Sequence, residues 1–407
     1  MAVSVIRCCV CEAEYEPVAL GVCERCFGPL EPVYDWDDVA ARVSRESIAA
    51  GPASIWRYAE LLPVAAPGGT TIAPGMTPLV SAPRLASAVG VGEVLLKLDT
   101  ANPTHSFKDR VVAVAAAKAR ELGFGTLACS STGNLANAVA ARAAADGFEA
   151  VVFCPSTVEP AKLVATSVYG ATLYTIRGTY DDCSRLVTEL AGEVEWGFVN
   201  NNLRAYYAEG SKTLAFEIAE QLGWETPDAV VCPVASGSLL TKIWQGFEQF
   251  RRLGFVDGSR QPRIFGGQAA GCSPVAAAFA DDRRVSPVRP ATIVHSLAIG
   301  SPADGDLAVA TAQSSGGAIY AVPEDEVGEN MRLLAGSSGV FGETAAGVTL
   351  GALREAVSRG DLGRSDRVVL LVTGTGLKTP DPVVPPVEAI AIDPDVDALL
   401  VELGVAT

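Results

Sequence analysis

Beyond Val94 the chain alternates short apolar runs with longer stretches whose apolar residues recur at helical spacing. Val94–Leu98, Leu127–Cys129, Ala150–Cys154, Leu173–Ile176, Ala229–Cys232 and Val368–Val372 read as strands. The text after Arg110 (VVAVAAAKARELG, closed by a Gly stop), LANAVAARAAADG, Ala161–Tyr169, Tyr180–Ala191 and LLTKIWQGF reads as helix. This alternation predicts right-handed βαβ units and parallel sheets, hence an α/β fold. Upstream, Trp36–Ile48 reads as one helix, and a Gly/Pro-rich link leads to a new segment at Gly75-Met76-Thr77-Pro78-Leu79. The Pro- and Asp-rich tail from Thr379 is expected to wrap the surface.

Parallel sheets bind ligands at the carboxyl ends of their strands, and the Gly/Ser/Thr turns all fall there. Ser130-Ser131-Thr132-Gly133-Asn134 offers hydroxyls and an amide at a helix N-terminus, which suits a carboxylate or phosphate and equally an ordinary cap. Ala235-Ser236-Gly237-Ser238 lets backbone N–H groups approach a phosphate. It lacks both the GKS/T of a Walker loop and GxGxxG, so a small monophosphate fits better than a dinucleotide. Thr373-Gly374-Thr375-Gly376-Leu377-Lys378 closes the set, with Thr373 able to make one hydrogen bond at a strand end.

The remaining strand end, Asn102-Pro103-Thr104-His105-Ser106-Phe107-Lys108-Asp109-Arg110, carries the chemistry. Asn-Pro reads as a turn. Ser106 is the expected N-cap, with Asp109 as return partner of a capping box. Lys108 then lies in the first helical turn, where the macrodipole disfavours a cation. A lysine so placed is expected to have a depressed pKa and to form a Schiff base with a carbonyl cofactor. The plainer alternative is a lysine reaching into solvent.

Composition narrows the classes. The 407 residues suffice for two or three domains, and 49% of them are apolar. No apolar run reaches the roughly 18 residues of a membrane span, and no signal-peptide pattern opens the chain, so an intracellular, cytoplasmic protein is expected. A net charge of −16 disfavours a nucleic-acid surface. Two histidines leave little room for His-rich metal catalysis or a Ser-His-Asp site. Of ten cysteines, Cys8, Cys11, Cys23 and Cys26 form two CxxC knuckles, the pattern of a structural zinc ribbon with no open position. Cys9 has no evident role. Three of the scattered cysteines sit in apolar runs and read as buried hydrophobes.

GMTPL, NPTHSFKDR, SSTGN, PVASGS and TGTGLK, in this order, resemble the threonine synthases. Glu209-Gly210-Ser211-Lys212-Thr213, Ser296–Pro302 and Gly339-Val340-Phe341-Gly342-Glu343 agree, and one branch of that family carries an N-terminal cysteine ribbon. The resemblance implies two parallel-sheet domains of the fold type II pyridoxal-phosphate enzymes, preceded by the ribbon at 1–34. Residues 35–111 and 206–407 would form the large domain, with 112–205 inserted as the small one. Lys108 would hold pyridoxal 5'-phosphate, Asn134 its ring hydroxyl, the Ala235-Ser236-Gly237-Ser238-Leu239 backbone its phosphate and Thr373 its ring nitrogen. Ser106, Ser131 and Thr132 would receive the carboxylate of a small phospho-amino-acid substrate. The implied reaction turns O-phospho-L-homoserine and water into threonine and phosphate. A homodimer is expected.

Two departures bear on the leaving group. Many relatives have N-P-Y-R before E-G, and Tyr207 stands where that arginine would be. Arg204, three residues upstream, is the candidate replacement. His105 occupies a position where many relatives have a small or aliphatic residue. The competing readings are β-replacement on O-phosphoserine, as in cysteate synthases, and a cofactor-binding or zinc-ribbon interaction protein without catalysis.

Overall fold

The computed structural model describes residues 3–69, 72–131, 133–156, 158, 160–383 and 390–405. Its strands are β1 (Val3–Cys8), β2 (Glu14–Tyr15), β3 (Leu30–Tyr34), β4 (Leu79–Ser81), β5 (Glu93–Leu98), β6 (Thr126–Ser130), β7 (Glu149–Pro155), β8 (Thr172–Ile176), β9 (Gly197–Phe198), β10 (Ala229–Pro233), β11 (Arg263–Ala269), β12 (Ile319–Val322) and β13 (Arg367–Val372). They form three sheets, ordered β2-β1-β3, β12-β11-β10-β13-β5-β4 and β8-β7-β6-β9. The first is antiparallel. The second is parallel except for its edge strand β4, and the third is wholly parallel.

The apolar runs explain the central strands. Successive side chains of a strand point to opposite faces. In β13, Val368, Leu370 and Val372 enter one core while Val369 and Leu371 enter the other. β5 divides likewise, Val94 and Leu96 against Leu95. A sheet buried on both faces needs such unbroken apolar text. The Ala-rich helices Lys108–Glu121 and Asn134–Asp146 pack through Val111, Ala115 and Ala119 against Leu135, Ala138 and Val139, where small side chains allow close approach.

The expected helix Trp36–Ile48 is in fact two, Trp36–Arg42 and Arg45–Ala49. Val43 is extended, and Ser44 starts the second helix through a reciprocal capping box with Ser47. The local cap competes successfully with helix continuation at this point. Among the described residues the tail is seated at its start, where Arg332 donates to the carbonyls of Pro382 and Val383. The helix Val396–Glu402 buries none of its residues.

The ribbon sheet is not a separate body. Ile6, Cys8, Ala13, Cys23 and Leu30 share one core with Val111, Val112, Leu203 and Tyr206. Tyr206 donates its hydroxyl to the Val18 carbonyl at 2.9 Å. Beneath β3, Glu31 and Tyr34 join a buried polar group with Glu209, Lys212 and Lys242. Among the described residues no helix is long and apolar enough to cross a membrane.

Candidate active site

β5, β13 and β10 are neighbours in register, so the turns that follow them lie side by side at one sheet edge. The backbone stitches two of these turns together. Phe107 N–H donates to the Thr373 carbonyl at 2.9 Å, Thr375 N–H to the His105 carbonyl at 3.2 Å, and Ser106 bridges Gly374. Lys108 therefore opens its helix inside the crevice. Its Nζ donates to the Tyr207 hydroxyl at 3.0 Å and lies 4.4 Å from the centre of the Phe107 ring.

The expected capping box is absent. Phe107 occupies the cap position and makes no side-chain cap bond. The Asp109 carboxylate instead accepts from the backbone N–H of Thr104 at 2.9 Å and from its hydroxyl. The preceding turn folds back far enough to offer both donors, with His105 at φ +60°. Ser106 is released from capping, and its hydroxyl is fully buried without a hydrogen-bond partner. The exposed His105 places Nδ1 3.2 Å from the Thr100 carbonyl.

Two residues past Lys108, the fully buried Arg110 anchors the helix. It donates to Asp99 at 2.8 Å through both Nε and Nη2, to Thr77, and to Glu217, which also pairs with Lys97 at 2.7 Å. Burial alone would push the Glu217 carboxyl up, but Arg110 and Lys97 outweigh it and hold it at about 2.

After β6, the Ser131 hydroxyl accepts from the N–H groups of Gly133 and Ala136, both at 3.1 Å, and fixes the turn. Thr132 lies outside the described residues. Asn134 begins the next helix with its amide held at both ends. Nδ2 donates to Glu343 at 2.8 Å, and Oδ1 accepts from Lys378 Nζ at 2.8 Å. Thr373 Oγ1 lies 3.4 Å from the other Glu343 oxygen. Burial raises the Glu343 carboxyl above its ordinary value and lowers the Lys378 ammonium below its own. Both residues belong to stretches whose text stands out, GVFGE and TGTGLK. Their meeting with Asn134, more than 200 positions away, had no local signal.

After β10, Ala235, Ser236, Gly237, Ser238 and Leu239 lead into the helix Ser238–Arg252, whose cap makes no side-chain bond. Gly237 has φ +97°, and a Cβ there would come within 2.5 Å of the Asp304 carbonyl oxygen, so only glycine fits. Arg204 is ion-paired with Asp304, whose N–H donates to Ser236 at 2.9 Å. The candidate replacement for the missing arginine thus stands beside this turn with a partner already in place.

A reachable amine, an uncapped helix N-terminus behind an obligatory glycine, and a buried unpartnered hydroxyl fit a phosphorylated aldehyde cofactor and an amino-acid carboxylate. In the ribbon, the Sγ atoms of Cys8, Cys11, Cys23 and Cys26 all lie within 4.8 Å of one another. Val10 and Cys11 N–H groups point at Cys8 Sγ, and Arg25 N–H at Cys23 Sγ. Four thiolates so close, steadied by N–H donors, fit a tetrahedral zinc ion. Cys129, Cys154 and Cys232 are buried, as their apolar runs require.

A family model described as "pyridoxal-phosphate dependent enzyme" matches residues 70–374. The threonine synthase of Methanocaldococcus jannaschii is 35% identical over 92% of this chain and 93% of its own. That of Methanosarcina acetivorans is 35% identical over 97% of each. That of a Synechocystis strain is 38% identical over 76% of this chain and 79% of its own. Among solved structures, diaminopropionate ammonia lyase from Escherichia coli superposes with a TM-score of 0.63 at 20% identity, covering 75% of this chain and 86% of that one. The processed threonine deaminase isoform 2 of Solanum lycopersicum gives 0.62 at 20% identity, covering 74% and 79%. These two share the fold type.

Proposed function

Because the chain belongs to the pyridoxal-phosphate-dependent enzymes and, within them, to the threonine synthases, we propose that it converts O-phospho-L-homoserine and water to L-threonine and phosphate. It is a pyridoxal-phosphate-dependent lyase. The observation that carries the proposed reaction is that the turn bearing Lys108 lies at one sheet edge with the turns after β13 and β10, and is bonded through its backbone to the first of them.

Lys108 would hold the cofactor through its Nζ, and the same amine would remove the proton from Cα and serve proton transfer at Cβ, with the Tyr207 hydroxyl as its hydrogen-bond partner. When bound, pyridoxal phosphate supplies the electron sink for charge developing beside the reacting carbons. Asn134 would hold the ring hydroxyl, Thr373 the ring nitrogen, and the backbone of Ala235–Leu239 the cofactor phosphate. Ser106, Ser131 and Thr132 receive the substrate carboxylate. The buried, unpartnered hydroxyl of Ser106 supports its role. Arg204 receives the leaving phosphate by exchanging Asp304 for it. The four ribbon cysteines hold structural zinc. Residues 112–205 form the smaller domain against 35–111 and 206–407, and the enzyme is a cytoplasmic homodimer.

Tyr207 beside Lys108, together with the pairing of Arg204 to Asp304, favours a second reading, β-replacement on O-phosphoserine. The test is phosphate release from O-phospho-L-homoserine and, in parallel, from O-phospho-L-serine with sulfite, identifying the amino-acid product. Threonine from the first substrate supports the proposal. Turnover of the second alone overturns it and leaves the lysine chemistry intact.

A further inference from the structure

The Asn134 amide is fixed by two charged neighbours from a different part of the fold. Asn134 follows β6 of the four-stranded sheet, whereas Glu343 and Lys378 flank β13 of the six-stranded one. A carboxylate accepts and an ammonium donates. Reversing the amide would set N–H against the Lys378 ammonium and C=O against the Glu343 carboxylate. The orientation is therefore settled before any ligand arrives. One N–H of Nδ2 is taken by Glu343, and the other is left to offer.

We infer that Glu343 and Lys378 are positioning residues that make Asn134 a hydrogen-bond donor, so that it selects a ligand by an acceptor oxygen on the ring. The Glu343 carboxylate also reaches Thr373, so one buried group keeps both ring-facing side chains on a common frame across the two sheets. Gly374 makes this possible, because a Cβ there would overlap the Glu343 carboxylate. Glu343 is itself anchored, its N–H donating to the Gly374 carbonyl at 3.0 Å. Lys378 is steadied by a second acceptor, the Thr104 carbonyl at 2.6 Å, on the turn that leads to Lys108. The clamp thus ties the ring-facing amide to the lysine turn.

The inference rests on Asn134 meeting the ring hydroxyl. Its test compares the affinity of pyridoxal phosphate with that of the analogue lacking that hydroxyl, by equilibrium titration of the cofactor-free protein. The wild type should prefer pyridoxal phosphate about tenfold. Asn134→Ala, Glu343→Gln and Lys378→Gln should each bring that preference close to unity. A merely structural role would weaken both compounds equally and leave the ratio unchanged. If only Asn134→Ala loses the preference, the clamp is refuted while the role of Asn134 stands. If Asn134→Ala also keeps it, the contact with the ring hydroxyl is wrong and the inference falls with it. Should Glu343→Gln fail to fold, Lys378→Gln carries the same comparison.

Discussion

Replacing Glu217 with Gln probes what holds the helix of Lys108. Glu217 is fully buried between Arg110 and Lys97, and Asp99 is the remaining carboxylate on Arg110. The substitution leaves a buried positive charge uncompensated, at an expected cost of about 3–5 kcal/mol. An independent figure comes from proton linkage. A carboxyl held at about 2 when folded, against 4.5 as its ordinary value, contributes about 3 kcal/mol at neutral pH. Because the folded value is depressed, this contribution is complete above the unfolded value and is lost as pH falls through the folded one. It should shrink to roughly 2 kcal/mol at pH 3.5 and vanish below pH 2. Urea unfolding of wild type and Glu217→Gln, followed by far-UV circular dichroism at pH 7 and pH 3.5, reads the difference directly. A gap that stays constant between the two pH values, or is below about 1 kcal/mol at pH 7, would refute the assignment of this charge cluster as the anchor.

Lys108→Ala should abolish both the visible cofactor absorbance and turnover, and retained activity would end the lysine account. Tyr207→Phe removes the hydroxyl 3.0 Å from Nζ and should lower kcat between about tenfold and a hundredfold with an unchanged melting temperature; an unaltered kcat would show the hydroxyl to be a bystander. Gly237→Ala introduces a Cβ against the Asp304 carbonyl and should weaken pyridoxal phosphate at least about tenfold in equilibrium titration. Elemental analysis should find one zinc per chain, removed by a strong chelator with a fall in melting temperature, and an equally stable metal-free protein would argue against a structural site.

What the sequence disclosed follows from the range of the interactions involved. Strands such as Val368–Val372 advertise themselves because burial on both faces demands unbroken apolar text. Turns rich in Gly and Ser advertise the crevice because backbone approach demands small residues there. The knuckle spacing located the four thiols for the same local reason. Trp36–Ile48 misled because its helical period continues past Ser44, where a cap of comparable local strength begins a new helix. Ser106 misled because Asp109 found two donors on Thr104, a preference decided by how the turn folds back. The contacts that organise the site, Lys108 with Tyr207 and Asn134 with Glu343, are long-range and leave no periodic trace.

The core shared between the ribbon and the helices beginning at Lys108, Asn134 and Arg204 imposes an order on biosynthesis. A chain made from its N-terminus presents Ile6, Cys23 and Leu30 long before Leu203 and Tyr206 exist to cover them. Until Val111 and Val112 emerge, the ribbon's part of that core has only its own side chains and the four thiols to hold its shape. Metal capture on the ribosome would set a finished surface on which the helices beginning at Lys108 and Arg204 can later dock. A nascent chain starved of zinc would reach Leu203 and Tyr206 without a shaped face to receive them.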